Sequence, residues 1–161
     1  MRRRKGLMAA VAAAGMVGVA SLRGRVRRYA VAEDSMLPRL HPGDYVIAQR
    51  VAGTPPRGSI VVFPHPGRDG FELVKRVVGV AGERVTIANG QVHVDGAVLA
   101  EPWADGVTRP DGEWLVGPGE VFVLGDRRAA SVDDSRTVGP VAAVHWKLVA
   151  RYWPPAGIGL L

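Results

Sequence analysis

Apolar and polar positions alternate in short runs along most of this chain, and turn-forming residues interrupt them every few positions. The longest run is 71–80, Phe-Glu-Leu-Val-Lys-Arg-Val-Val-Gly-Val. Successive side chains of a strand point to opposite faces. Phe71, Leu73, Lys75 and Val77 therefore share one face, and Glu72, Val74, Arg76 and Val78 the other. Shorter strand patterns cover 29–32, 45–51, 59–63, 84–88, 91–94 and 121–124. Asn89-Gly90 between two of them predicts a tight hairpin, and Asp95-Gly96 a further turn. Residues 100–119 are rich in Pro, Gly and Asp and read as a long surface connection. Residues 141–152 suit a final strand, with helix over part of them as the alternative. Closely spaced turns without a 3.6-residue period predict a mainly β domain over 29–161, with no internal repeat.

The first 28 residues depart from this pattern. A run without charge, 6–22, is flanked by Arg2, Arg3, Arg4 and Lys5 on one side and Arg23, Arg25, Arg27 and Arg28 on the other. Seventeen residues of helix span about 25 Å, slightly less than the roughly 30 Å hydrocarbon core of a bilayer. The segment fits a retained hydrophobic anchor helix or a secretory signal cleaved after Ala20. Basic residues on both flanks nearly cancel the orientation signal.

This arrangement also changes the meaning of the net charge of +6. Eight of the 21 basic residues lie in the first 28 positions, and the remainder of the chain carries 13 basic against 15 acidic residues. The excess is a membrane-side signature and not a nucleic-acid groove. The absence of cysteine excludes disulfides and thiol catalysis. His41, His65, His93 and His145 lack ligand spacing, so neither a metal nor a cofactor is expected.

Three stretches carry candidate chemistry. Ser35-Met36-Leu37-Pro38 places a serine on a proline-stiffened turn. Lys75 is one of only three lysines against 18 arginines, and it shares a strand face with large apolar side chains. Desolvation there lowers an amine's pKa and lets its neutral form act as a general base. Arg76 could not do this, because a guanidinium stays charged. Residues 124–136 concentrate two serines, three aspartates and three arginines, suited to an ion-paired loop that braces a site.

Together these stretches resemble the type I signal peptidase family of membrane-bound serine proteases. Ser35-Met36-Leu37-Pro38-Arg39-Leu40-His41-Pro42-Gly43-Asp44 is similar to that family's Ser-Met-x-Pro-Thr-Leu-x-x-Gly-Asp. Gly58–Phe63, Lys75–Glu83 and 125–136 are similar to three further boxes in the same order. The resemblance implies a partly open, barrel-like β domain preceded by one hydrophobic helix. It implies Ser35 as the acylating nucleophile, Lys75 as its neutral base and Ser131 as the hydroxyl that holds the amine. It implies bracing ion pairs of Asp126 with Arg76, and of Asp133 or Asp134 with Arg136. The last box has one extra residue: counting from Gly125 selects Ser131 and Asp133, and counting back from Arg136 selects Asp134 and Ser135. Met36 is expected to contribute to an apolar surface beside the site. The Ser35 N–H would serve an oxyanion hole. Glu33 stands where many members carry serine or glycine, so with Asp34 it puts two carboxylates at the front of the turn.

The implied substrates are exported preproteins with small residues before the cut. The implied setting is the plasma membrane of a bacterium, with the catalytic domain on the outer face and lipid as a partner. A dedicated maturation protease for one client, such as a nickel superoxide dismutase precursor, is the alternative. A non-catalytic membrane-tethered β domain is a more remote one. A self-cleaving repressor would need a DNA-binding domain that 28 residues cannot supply.

Overall fold

The computed structural model describes residues 24–142 and 144–161. The expected helix over 6–22 lies outside the described residues. Among the described residues, eleven strands form two antiparallel sheets. The larger contains β1 (Val26–Ala30), β2 (Tyr45–Arg50), β3 (Ile60–Pro64), β4 (Glu72–Val80), β9 (Val121–Leu124), β10 (Trp146–Trp153) and the short β11 (Gly159–Leu160). Its order is β1-β2-β10-β3-β4-β9, with β11 on β10. The smaller sheet has the order β7-β6-β5-β8, from β5 (Arg84–Ala88), β6 (Gln91–Val94), β7 (Ala97–Val98) and β8 (Gly112–Leu115).

Three strands separate β1 from β4 in the larger sheet, yet the two approach each other across its concave side. The Tyr29 hydroxyl and the Arg27 guanidinium reach Glu72 at 3.5 and 3.7 Å. The sheet therefore curls back on itself without closing, since β1 and β9 remain as its two ends. Val31, Met36, Leu40, Val46, Ile60, Val62 and Leu148 fill the space this creates. A second cluster, including Val61, Phe63, Leu73, Val77 and Val123, packs around β3, β4 and β9. A third joins the two sheets: Val78 and Phe122 from the larger meet Val85, Ile87 and Val92 from the smaller. Gly79 lies at this junction, at a register shift between β4 and β9. A Cβ there would stand 2.5 Å from Val85 Cγ2.

Strand positions agree with the sequence pattern to within a few residues. The β5–β6 hairpin turns at Asn89 and Gly90, which adopt φ values of 54° and 80° as its tight turn requires. Two expectations are corrected. Residues 100–119 are not only connection, because Gly112–Leu115 forms β8 and pairs with β5. Residues 146–153 are strand throughout, and the short helix lies earlier, at α1 (Ser135–Val138). Asp134 starts α1 as its N-cap, with its carboxylate accepting the Arg136 N–H at 3.1 Å.

Candidate active site

Ser35 sits on the turn between β1 and β2, and two features hold that turn. At its start, Leu37 N–H donates to the Asp34 carbonyl and Leu40 N–H to the Met36 carbonyl. At its end, the Asp44 carboxylate accepts the His41 N–H at 2.9 Å and the Arg151 guanidinium of β10 at 2.8 Å. Burial pushes the Asp44 carboxyl up, but these donors outweigh it and hold the group below the ordinary carboxylate value. Met36 and Leu40 anchor the turn in the core. Met36 is only 1% exposed, so it is a core residue that also borders the cleft, and not the surface element expected from sequence.

Lys75 enters from β4 opposite Val61 of β3. It is 2% exposed, and its Nζ lies 2.9 Å from Ser35 Oγ. Burial lowers the amine's pKa below its ordinary value. Asp134, Glu33 and Asp133 oppose that shift by favouring the ammonium, while Arg136 adds to it. An amine that is readily neutral within hydrogen-bond reach of a hydroxyl can take the hydroxyl's proton.

The loop after β9 closes around this pair. Gly125 passes so near that a Cβ would stand 2.5 Å from Ser131 Oγ and 2.8 Å from the Ser35 carbonyl oxygen. That same carbonyl accepts the Arg127 N–H at 3.0 Å. The Asp126 carboxylate takes two parallel bonds from Arg76, at 2.7 and 2.6 Å, and Arg76 also donates to the Gly58 carbonyl at 2.8 Å. Burial raises the Asp126 carboxyl above its ordinary value, with Arg76 and Arg128 pulling the other way.

Asp134, and not Asp133, receives Arg136, at 2.9 Å to Oδ1 and 2.8 Å to Oδ2. It also accepts the Ser131 hydroxyl at 2.7 Å and the Gly125 N–H at 3.3 Å. The Ser131 hydroxyl thus donates to a carboxylate and makes no hydrogen bond to the Lys75 amine it was expected to hold, which reaches Ser35 instead. The Asp133 carboxylate lies at the rim, 3.9 Å from His65 Nε2.

The two carboxylates at the front of the turn part company. Asp34 pairs with Arg127. Glu33 borders the cleft with Ser35 and Lys75. A further brace has no local sequence signal. Arg128, 2% exposed, donates to Glu101 at 2.5 Å and to the Gly125 carbonyl at 3.0 Å. Asp105 N–H donates to the Asp126 carbonyl at 2.7 Å and the Asp105 carbonyl accepts the Arg128 N–H at 3.0 Å. The connection after β7 is therefore stitched to the back of the site.

A family model for signal peptidase, peptidase S26, matches residues 3–153. The signal peptidase I of Bacillus caldolyticus is 34% identical over 146 residues, covering 78% of this chain and 79% of its own length. That of Leptolyngbya laminosa is 33% identical over 149 residues, covering 81% and 70%. A crystal structure of a signal peptidase I from Enterococcus faecalis V583 aligns with a TM-score of 0.49 at 28% identity, over 69% of this chain and 99% of that one. A match running through nearly all of the chain, across both the serine turn and the lysine strand, leaves one conclusion: the chain belongs to the signal peptidase family, peptidase S26, and is a serine endopeptidase.

Proposed function

We propose that this enzyme removes signal peptides from exported preproteins with a Ser35–Lys75 dyad. The observation that carries the dyad is the 2.9 Å approach of Lys75 Nζ to Ser35 Oγ inside the protein. Ser35 Oγ attacks the carbonyl before the cut, and its proton passes to neutral Lys75. The Ser35 N–H makes no hydrogen bond among the described residues and donates to the oxyanion that develops. The Lys75 ammonium then protonates the departing amine, which leaves an acyl-enzyme and a neutral lysine. Lys75 next takes a proton from water, the hydroxide oxygen attacks the ester carbonyl, and the returning proton restores the Ser35 hydroxyl. One amine thus does what a His–Asp pair does in a triad.

Asp134 favours the Lys75 ammonium from nearby, the Arg76–Asp126 pair fixes β4 to the loop after β9, and the Arg128–Glu101 pair fixes that loop to the connection after β7. The apolar run 6–22 with its basic flanks supports work at a bacterial plasma membrane. Among the described residues no helix is long and apolar enough to cross a membrane.

Ser35→Ala and Lys75→Ala are each expected to lower kcat/KM on a purified preprotein by at least about 10³-fold. Lys75→Arg should be equally inactive, because its guanidinium cannot give up a proton. A Lys75→Ala enzyme retaining more than about a tenth of wild-type activity would remove the dyad from consideration. N-terminal sequencing of secreted proteins after depletion of the enzyme tests the substrate class, with uncut signal peptides as the expected result.

A further inference from the structure

The cleft beside the dyad is charged in one sense only. It encloses about 180 Å³ between the end of β1 and the start of β4. Its walls are mostly apolar, with Val31, Met36, Val62 and Leu73 among them. Apart from the dyad's own Lys75, the acidic and basic side chains lining it are Glu33 and Glu72, both acidic. Glu72 is answered by Arg27 at 3.7 Å and the Tyr29 hydroxyl at 3.5 Å. Arg68 stays at the rim, over the Phe71 ring at 6.0 Å. Glu33 is different: it is exposed and has no ion-pair or hydrogen-bond partner among the described residues. A carboxylate at the mouth of a low-dielectric groove acts more strongly than one on open surface, because apolar walls focus its field.

Interior carboxylates elsewhere pair with arginine instead, Asp126 with Arg76, Glu101 with Arg128 and Asp134 with Arg136. Glu33 lies two residues before the nucleophile. An extended substrate advances about 3.3 Å per residue, so a side chain that meets Glu33 belongs to one of the first two or so residues on either side of the cut. Resting on the proposed Ser–Lys peptidase activity, we infer that Glu33 is a specificity determinant that selects substrates with a lysine or arginine within about two residues of the scissile bond. Tyr29 and Phe71, which also line the cleft, offer ring faces to the stem and head of such a side chain.

Pairing with the substrate would help the dyad as well. Glu33 is one of the carboxylates that favour the Lys75 ammonium, with Asp134 and Asp133, while Arg136 opposes them. A substrate cation on Glu33 cancels one of these attractions and leaves the amine more readily neutral.

The test is a set of fluorogenic decapeptides with small residues before the cut. Each of the two positions on either side of it is in turn Lys, Gln or Glu. The wild-type enzyme should cut the best Lys peptide about fivefold faster in kcat/KM than its Gln counterpart, and the Glu peptide more slowly still. Glu33→Gln should bring Lys and Gln peptides to the same kcat/KM, and Glu33→Asp should restore part of the ratio. The wild-type ratio should also shrink toward one at about 0.5 M NaCl, a measurement that needs no variant. The inference is overturned if no position favours Lys in the wild type, or if the preference survives Glu33→Gln. Cleavage of the Gln peptides in either case leaves the Ser–Lys activity standing, whereas failure to cleave any peptide counts against that activity itself.

Discussion

In the proposed dyad, Lys75 is where burial becomes chemistry. The same strand alternation that puts it beside Leu73 and Val77 removes it from water, and desolvation disfavours its charged form. The sign for catalysis follows from that shift. Below the lowered pKa the amine holds its proton and cannot accept one from Ser35; above it the neutral base is present. Activity should therefore rise with pH through an inflection below the ordinary lysine value of 10.5 and be lost reversibly on acidification. The pH profile of kcat/KM, with circular dichroism recorded at each pH, checks this. An inflection at or above the ordinary lysine value, or loss of activity only where the fold is lost, would contradict it. Ser35 and Lys75 were legible in the sequence because each sits in a local pattern: a serine before a proline turn, and a lone lysine on an apolar strand face. Asp134 was not separable from Asp133 by the same means. The two carboxylates are adjacent in a loop with no period, and only the N-cap geometry of α1 turns one toward Arg136 and leaves the other at the rim.

At the scale of elements, the site is a junction of the serine turn, β4 and the loop after β9, and ion pairs fix their mutual placement. The Arg76–Asp126 pair is the most constrained: both groups are buried, and the bonds are bidentate. Such a pair gains little over a well-packed apolar core, yet breaking it strands a charge. Asp126→Asn should therefore destabilise the protein by about 3–5 kcal/mol, read as a lower urea midpoint at unchanged m-value. A loss below about 1 kcal/mol would show that water reaches Arg76. Arg76 and Asp126 lie in sequence boxes that suggest a pair. The Arg128–Glu101 brace does not, because its members come from a loop and from a Pro- and Gly-rich connection. For the same reason β8 was hidden: Gly112–Leu115 is four residues long and becomes a strand by pairing with β5.

Across the whole molecule, β4 and β9 form a wall with a core on either side. All four residues of β9 are buried, Val121 and Val123 facing one cluster and Phe122 and Leu124 the other. A strand buried on both faces reads as a continuous apolar run and not as an alternation. Its sequence therefore marks a strand without revealing that a second sheet covers it. The covering sheet packs on this wall largely through Phe122, which is fully buried with its ring 5.0 Å from that of Trp114 on β8. The loop that closes around Ser35 and Lys75 leaves directly from the end of β9, so its position depends on both sheets. If the wall couples them, the two sheets unfold together. Phe122→Ala should then lower stability by about 3–5 kcal/mol while keeping one cooperative transition, with tryptophan fluorescence and far-ultraviolet circular dichroism giving the same urea midpoint. Fluorescence and dichroism transitions that do not coincide would show instead that the two sheets melt independently. The serine turn, β4 and β9 would then stand as a separate unit, with the loop after β9 held to it by its ion pairs and by the Arg127 N–H bond to the Ser35 carbonyl.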